Sequence, residues 1–217
     1  ILFIGQVGRG MRDREAFQEI DFRRMFGQMA KWVAEIDDAA RVPEYVSRAF
    51  HTAVSGRPGP VVLALPEDML RDKSPGVGIT AARISEAHPG SEAMTEFRSR
   101  LEEAVRPVVI VGGGGWDANA VANMQVFAEA NQLPVAAAFR CQSLFDNTHE
   151  NYIGDVGIGI NPKLAARVKE ADLLIAIGPR LGEMTTGGYE LLEIPMPKQD
   201  LVHVYPGAEE LGRVYNP

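Results

Sequence analysis

RPVVIVGGGGWDANAVANMQVFAEANQLPVAAAF, residues 106–139, holds the pattern on which the fold turns. Pro107-Val108-Val109-Ile110-Val111 is apolar without alternation, as a strand covered on both faces reads. Gly112-Gly113-Gly114-Gly115 follows at once. A helix is predicted from about Asp117 to Asn131, with Ala120, Met124 and Phe127 on one stripe and Val121 and Ala128 beside it. Leu133–Phe139 reads as the next strand. Glycines between a strand and a helix let backbone N–H groups approach a ligand closely, and the helix N-terminus favours a phosphate. A dinucleotide fingerprint needs Gly-x-Gly-x-x-Gly. Gly112–Gly114 supply the first two glycines, but the third position is Asp117. A carboxylate there is unhelpful to a pyrophosphate and suited to capping its own helix. Two readings stand side by side: a nucleotide cradle, or a tight strand-to-helix turn.

Moving outward, the same alternation continues. Residues 92–105 suggest a helix with Met94, Phe97, Leu101 and Ala104 on one face. Residues 140–160 read as a loop. Asn161-Pro162 is a cap-and-first-turn signal for a helix ending near Lys169. Asp172–Ile177 is a strand closed by Gly178-Pro179, and Leu201–Tyr205 is a last short strand. Strands alternating with helices imply parallel pairing and right-handed crossovers. The fold class is therefore α/β, a doubly wound, mostly parallel, Rossmann-like sheet. Further back, residues 70–91 are turn-rich and lack a long apolar pattern, as a linker does. Before them, residues 43–54 read as a helix with Pro43 in its first turn and Val46, Ala49, Phe50 and Ala53 on one face. Gly56 stops it, and Pro60–Leu65 runs apolar as a buried strand. Ile1–Ile4 also reads as a buried strand, whereas residues 5–41 are mixed, charged and weakly periodic.

Composition limits the function. The 217 residues carry 22 Lys+Arg against 29 Asp+Glu, a net charge of −7, with no basic run to hold nucleic acid. No apolar stretch approaches the length of a membrane span. The single cysteine, Cys141, excludes an internal disulfide and multi-cysteine metal sites, and a cytoplasmic location fits. His51, His88, His149 and His203 are scattered without metal-ligand spacing, and no Gly-x-Ser-x-Gly elbow occurs. Asp37-Asp38 and Glu209-Glu210 read as solvated faces, and Trp32 and Trp116 as packing residues. Two polar loops stand out: Phe17-Gln18-Glu19-Ile20-Asp21, and Pro179-Arg180-Leu181-Gly182-Glu183 at the carboxyl end of a strand. Ligands of doubly wound sheets bind at that edge, so Arg180 faces either an anionic ligand or a nearby carboxylate.

Ala16-Phe17-Gln18-Glu19, Ala30-Lys31-Trp32 and AFHTAVSGRPGPVVLALPED (49–68) occur in an order and spacing similar to the acetolactate-synthase-like thiamine-diphosphate enzymes. RPVVIVGGGG (106–115), ADLLIAIGPRLGE (171–183) and LVHVYPGAEELGRVYNP (201–217) resemble their central domain. The resemblance implies residues 1–72 as the C-terminal part of the N-terminal pyrimidine-binding domain, 73–90 as a linker and 91–217 as the central domain. It implies a fragment of a carboligase or decarboxylase of 2-oxo acids that uses thiamine diphosphate and Mg²⁺ and forms a homodimer or homotetramer. The catalytic glutamate is then expected upstream of Ile1 and the Gly-Asp-Gly metal site downstream of Pro217, so the fragment alone is expected to be inactive. Carried over residue by residue, Gln18 and its neighbour Phe17 match positions near thiamine diphosphate, and Lys31 matches a lysine near the substrate channel. Gly112, Gly113, Gly114, Gly115 and Arg180 match positions that contact FAD in acetolactate synthases. Departures at Gly27, Tyr205, Gly207 and Leu181–Met184 weigh against FAD. The competing reading is a Rossmann-type nucleotide-binding module of an unrelated enzyme, which leaves residues 15–68 unexplained.

Overall fold

A computed structural model describes residues 1–83 and 87–217; residues 84–86, inside the stretch read as a linker, lie outside the described residues. The chain divides into two compact units, Ile1–Ala87 and His88–Pro217.

The first unit contains β1 (Leu2–Gln6), α1 (Phe22–Phe26), β2 (Trp32–Glu35), α2 (Val42–Val54) and β3 (Val61–Pro66). The three strands are parallel in the order β1-β3-β2, with Leu2 and Val33 both opposite Val62. β3 is therefore central, which is why its sequence is apolar on both faces; Val61 and Leu63 are fully buried, each burial stabilising by about 1.5–3 kcal/mol. Pro43 sits in the first turn of α2, and Gly56 follows its end at φ +55, a conformation other residues resist. Ala49, Val46 and Ala53 pack inward against β3, but Phe50, read on the same face, is 48% exposed. The expected buried strand at the start of the chain is a strand on the sheet edge: Leu2 and Phe3 point to opposite faces and remain exposed. The weakly periodic stretch 5–41 holds, besides two short 3-10 turns, one helix and one strand that went unread. β2 has four residues, and α1 has five, started by Asp21, whose carboxylate accepts from Arg24 N at 3.1 Å.

The second unit contains α3 (Ser91–Glu103), β4 (Pro107–Val111), α4 (Ala118–Ala130), β5 (Val135–Ala137), β6 (Tyr152–Asp155), α5 (Pro162–Glu170), β7 (Leu173–Ile177) and β8 (Asp200–Val204). All five strands are parallel, in the order β6-β5-β4-β7-β8. Alternate residues of β4 and β7 feed two cores. Val108, Ile110, Leu174 and Ala176 pack with Leu164 and Val168 of α5. Val109, Val111, Leu173 and Ile175 pack with Met124 and Ala128 of α4, and with Phe97 and Leu101 of α3. Helices cover both faces, so the sheet is doubly wound. Met94, read on the buried face of α3, stays 47% exposed. Asp117 accepts from Ala120 N at 2.7 Å and Asn161 from Lys163 N at 2.9 Å, so both helices begin on side-chain caps. The loop expected at 140–160 contains β6, a half-buried edge strand. Gly154 at φ +112 and a register shift beside Ala136 interrupt it, which removes any clean alternation.

Candidate functional site

Strand order reverses between β4 and β7, and the loops leaving their carboxyl ends define the crevice where such sheets take ligands. Gly112–Gly115 leave β4; Gly178, Pro179 and Arg180 leave β7. The structure thus brings the glycine run and Arg180 to one edge. There the first glycines serve close packing. A Cβ on Gly112 would lie 2.6 Å from the Ala138 Cβ and 2.8 Å from the Pro179 Cβ. A Cβ on Gly113, whose φ is +72, would overlap the Gly178 carbonyl oxygen. Trp116 donates its indole N–H to the Gly112 carbonyl at 2.8 Å, which lays the ring against both turns. Gly114 and Gly115 face open space.

Arg180 donates from Nε to Glu210 at 2.9 Å, and Arg213 lies 3.6 Å from the same carboxylate oxygen. Glu210 is 7% exposed, so the reading of Glu209-Glu210 as a solvated face fails for Glu210. Of the two partners foreseen for Arg180, the structure supplies the carboxylate. His203 of β8 reaches the Pro179 carbonyl at 2.9 Å, and burial pushes its pKa below the ordinary 6.5. A dinucleotide needs free N–H donors and an uncommitted cation for its pyrophosphate. Here Asp117 occupies the start of α4, Arg180 is engaged, and two of the glycines are filled against neighbouring backbone or side chains. These engagements weigh against FAD, although Gly114 and Gly115 stay open.

The carboxyl edge of the first sheet is different in kind. Residues 7–21 leave β1 and fold back, so that Gln6 Nε2 donates to the Ile20 carbonyl at 2.8 Å. Beneath them is a cavity of about 300 Å³ lined by Arg12, Asp13, Glu19, Phe22, Glu35 and Asp37, among others. Arg12 pairs with Glu35 and Asp37, and Arg9 pairs with Asp68 at 2.9 Å and Asp72 at 2.7 Å. The Arg9 bonds hold the Asp68 carboxyl below the usual range, the backbone N–H first and the guanidinium second. Neither arginine was singled out from sequence; their signal was the spacing of Arg9 and Arg12 in a charged stretch, with Glu35 and Asp37 as partners. Phe17 is 89% exposed and Gln18 takes φ +68 on the same loop. Lys31 lies elsewhere, at the amino end of β2. Its Nζ donates to the Ser55 carbonyl at 2.6 Å, and its aliphatic stem abuts Gly59. The structure therefore does not gather Lys31 with Phe17 and Gln18.

The geometry alone leaves an α/β chain with a polar pocket in one unit and a partly filled crevice in the other. Comparison decides the family: residues 94–217 match the thiamine pyrophosphate enzyme central domain. The chain belongs to the thiamine pyrophosphate enzyme family. It is 29% identical over 220 residues to the acetolactate synthase large subunit of Corynebacterium glutamicum, covering 99% of this chain and 34% of that protein. It is 31% identical over 219 residues to the acetolactate synthase large subunit of Parasynechococcus marenigrum, covering 98% of this chain and 35% of that protein. Glyoxylate carboligase of Escherichia coli O157:H7 is 29% identical over 226 residues, covering 98% and 36%. The crystal structure of benzoylformate decarboxylase from Polynucleobacter necessarius superposes with a TM-score of 0.71 at 28% identity, over 81% of this chain and 34% of that one. The chain spans about a third of the length of these relatives. Membership overturns the reading as a nucleotide module of an unrelated enzyme.

Proposed function

We propose that this chain is part of a thiamine-diphosphate- and Mg²⁺-dependent carboligase or decarboxylase of 2-oxo acids. The observation that carries the reading is the extent of the similarity: acetolactate synthases and a glyoxylate carboligase align with both units, not the central domain alone. Residues 1–72 then close the pyrimidine-binding domain, 73–90 link, and 91–217 form the central domain.

Thiamine diphosphate, when bound, supplies the electron sink for decarboxylation. This chain's contribution is placement. Phe17 offers an apolar face and Gln18 an amide to the cofactor from a loop at the carboxyl edge of the first sheet. Lys31, at the other end of this sheet and bonded to the Ser55 carbonyl, is proposed to line the substrate channel separately from that loop. The central domain is structural or nucleotide-binding, with Trp116 and the Arg180–Glu210 pair occupying part of its crevice. The proposed setting is a cytoplasmic homodimer or homotetramer; among the described residues no helix is long and apolar enough to cross a membrane. The chain by itself is proposed to be inactive, because the catalytic glutamate and the metal site belong to other segments of such enzymes.

Gln18→Ala and Phe17→Ala in the longer protein test the reading. Each is expected to raise the thiamine diphosphate concentration for half-activation, or to lower kcat, by about tenfold. Unchanged kinetics in both variants would remove Phe17 and Gln18 from the site.

A further inference from the structure

Residues 12–20 contain no helix or strand, yet their backbone is tightly specified. Asp13, Glu15 and Gln18 all adopt positive φ, at 61°, 54° and 68°. Three non-glycine residues in the left-handed region within six positions form a disfavoured arrangement that surrounding bonds must hold. Hydrophobic burial does not hold it, because its large apolar side chains, Phe17 and Ile20, are 89% and 42% exposed. Glu19 does. One carboxylate oxygen accepts from Asp13 N at 2.6 Å and the other from Ala16 N at 3.1 Å. The Glu19 N–H returns to the Ala16 carbonyl at 2.9 Å. Both oxygens are thus spent on main-chain donors across the loop. Those N–H groups, Asp13 first and Ala16 second, also hold the carboxyl below its usual range, so it is charged and accepting at neutral pH.

We propose that Glu19 is a positioning residue for the cofactor site. Its carboxylate locks the 13–19 loop so that the exposed Phe17 ring and the Gln18 amide are presented in one fixed geometry. This rests on the reading of Phe17 and Gln18 given under Proposed function. Hydrogen bonding distinguishes Glu19 from its neighbour Glu15: among the described residues, main-chain N–H groups of the loop bond to the Glu19 carboxylate and not to that of Glu15. A preorganised loop of this kind removes the ordering cost from cofactor binding.

The experiment compares Glu19→Ala, Glu19→Gln, Gln18→Ala and Phe17→Ala in the longer protein. It measures half-activation by thiamine diphosphate, kcat, thermal midpoint, and tryptic cleavage after Arg14, which lies in the loop. Glu19→Ala is expected to raise the half-activation concentration or lower kcat by about tenfold, with a nearly unchanged thermal midpoint. Cleavage after Arg14 should quicken by about fivefold or more as the loop opens. Glu19→Gln keeps one acceptor oxygen and should fall between the parent and Glu19→Ala; if the alanine variant does not fold, it decides the matter. Parental kinetics and parental cleavage in both Glu19 variants, with Gln18→Ala impaired, would overturn the positioning role while leaving the site intact. Parental kinetics in both Gln18→Ala and Phe17→Ala would instead overturn the site, and the positioning role with it.

Discussion

Gly113 and Gly114 are adjacent and chemically identical, yet the structure asks different things of them. Gly113 sits at φ +72, where an added Cβ would overlap the Gly178 carbonyl oxygen; Gly114 has nothing within 4 Å of an added Cβ. Gly113→Ala should therefore cost about 2–4 kcal/mol, from backbone strain and overpacking together. Gly114→Ala should change stability little. Urea unfolding of both variants checks the contrast, and equal midpoints would refute the packing role. His203 makes a second prediction here. Burial lowers its pKa below 6.5, so the native state binds fewer protons than the unfolded one. Stability from this group is complete above about pH 6.5 and declines as the pH falls through the lower native value. His203→Gln, which keeps a donor for the Pro179 carbonyl, should flatten stability against pH in that window. An unchanged slope would assign the acid sensitivity to other groups.

Secondary-structure elements were legible in proportion to their length and punctuation. α4 and α5 each open on a side chain that the sequence marks, Asp117 and Asn161, and each has a full periodic stripe. Asp117→Ala should cost about 1 kcal/mol by leaving the Ala120 N–H without its partner. Thermal melts of the central unit test this, and no loss would mean that the cap is redundant. β3, β4 and β7 were readable because parallel pairing on both sides demands unbroken apolar runs. α1, β2 and β6 were not, because four or five residues cannot display a period, and Gly154 breaks what alternation β6 has. At the candidate sites, the glycine run and Arg180 could be placed at a strand edge from sequence. Arg180's partner could not: Glu210 is buried through a contact 30 residues away, and adjacent acidic residues give no sign of which one turns inward.

At the scale of the molecule, the five-stranded order β6-β5-β4-β7-β8 creates a crevice of the kind that holds dinucleotides elsewhere, and this chain fills part of it with its own groups. The longer protein should accordingly purify without stoichiometric flavin absorbance. A yellow preparation with one flavin per chain would show that Trp116 and the Arg180–Glu210 pair yield to a ligand. The first unit carries the proposed cofactor-facing loop, so the central claim concerns thiamine diphosphate rather than a nucleotide. CO₂ release from a panel of 2-oxo acids by the cofactor-stripped longer protein tests it most directly. The account predicts release from at least one acid only when thiamine diphosphate and Mg²⁺ are restored together, with no requirement for FAD; release that is indifferent to thiamine diphosphate, or absent across the panel, would contradict it.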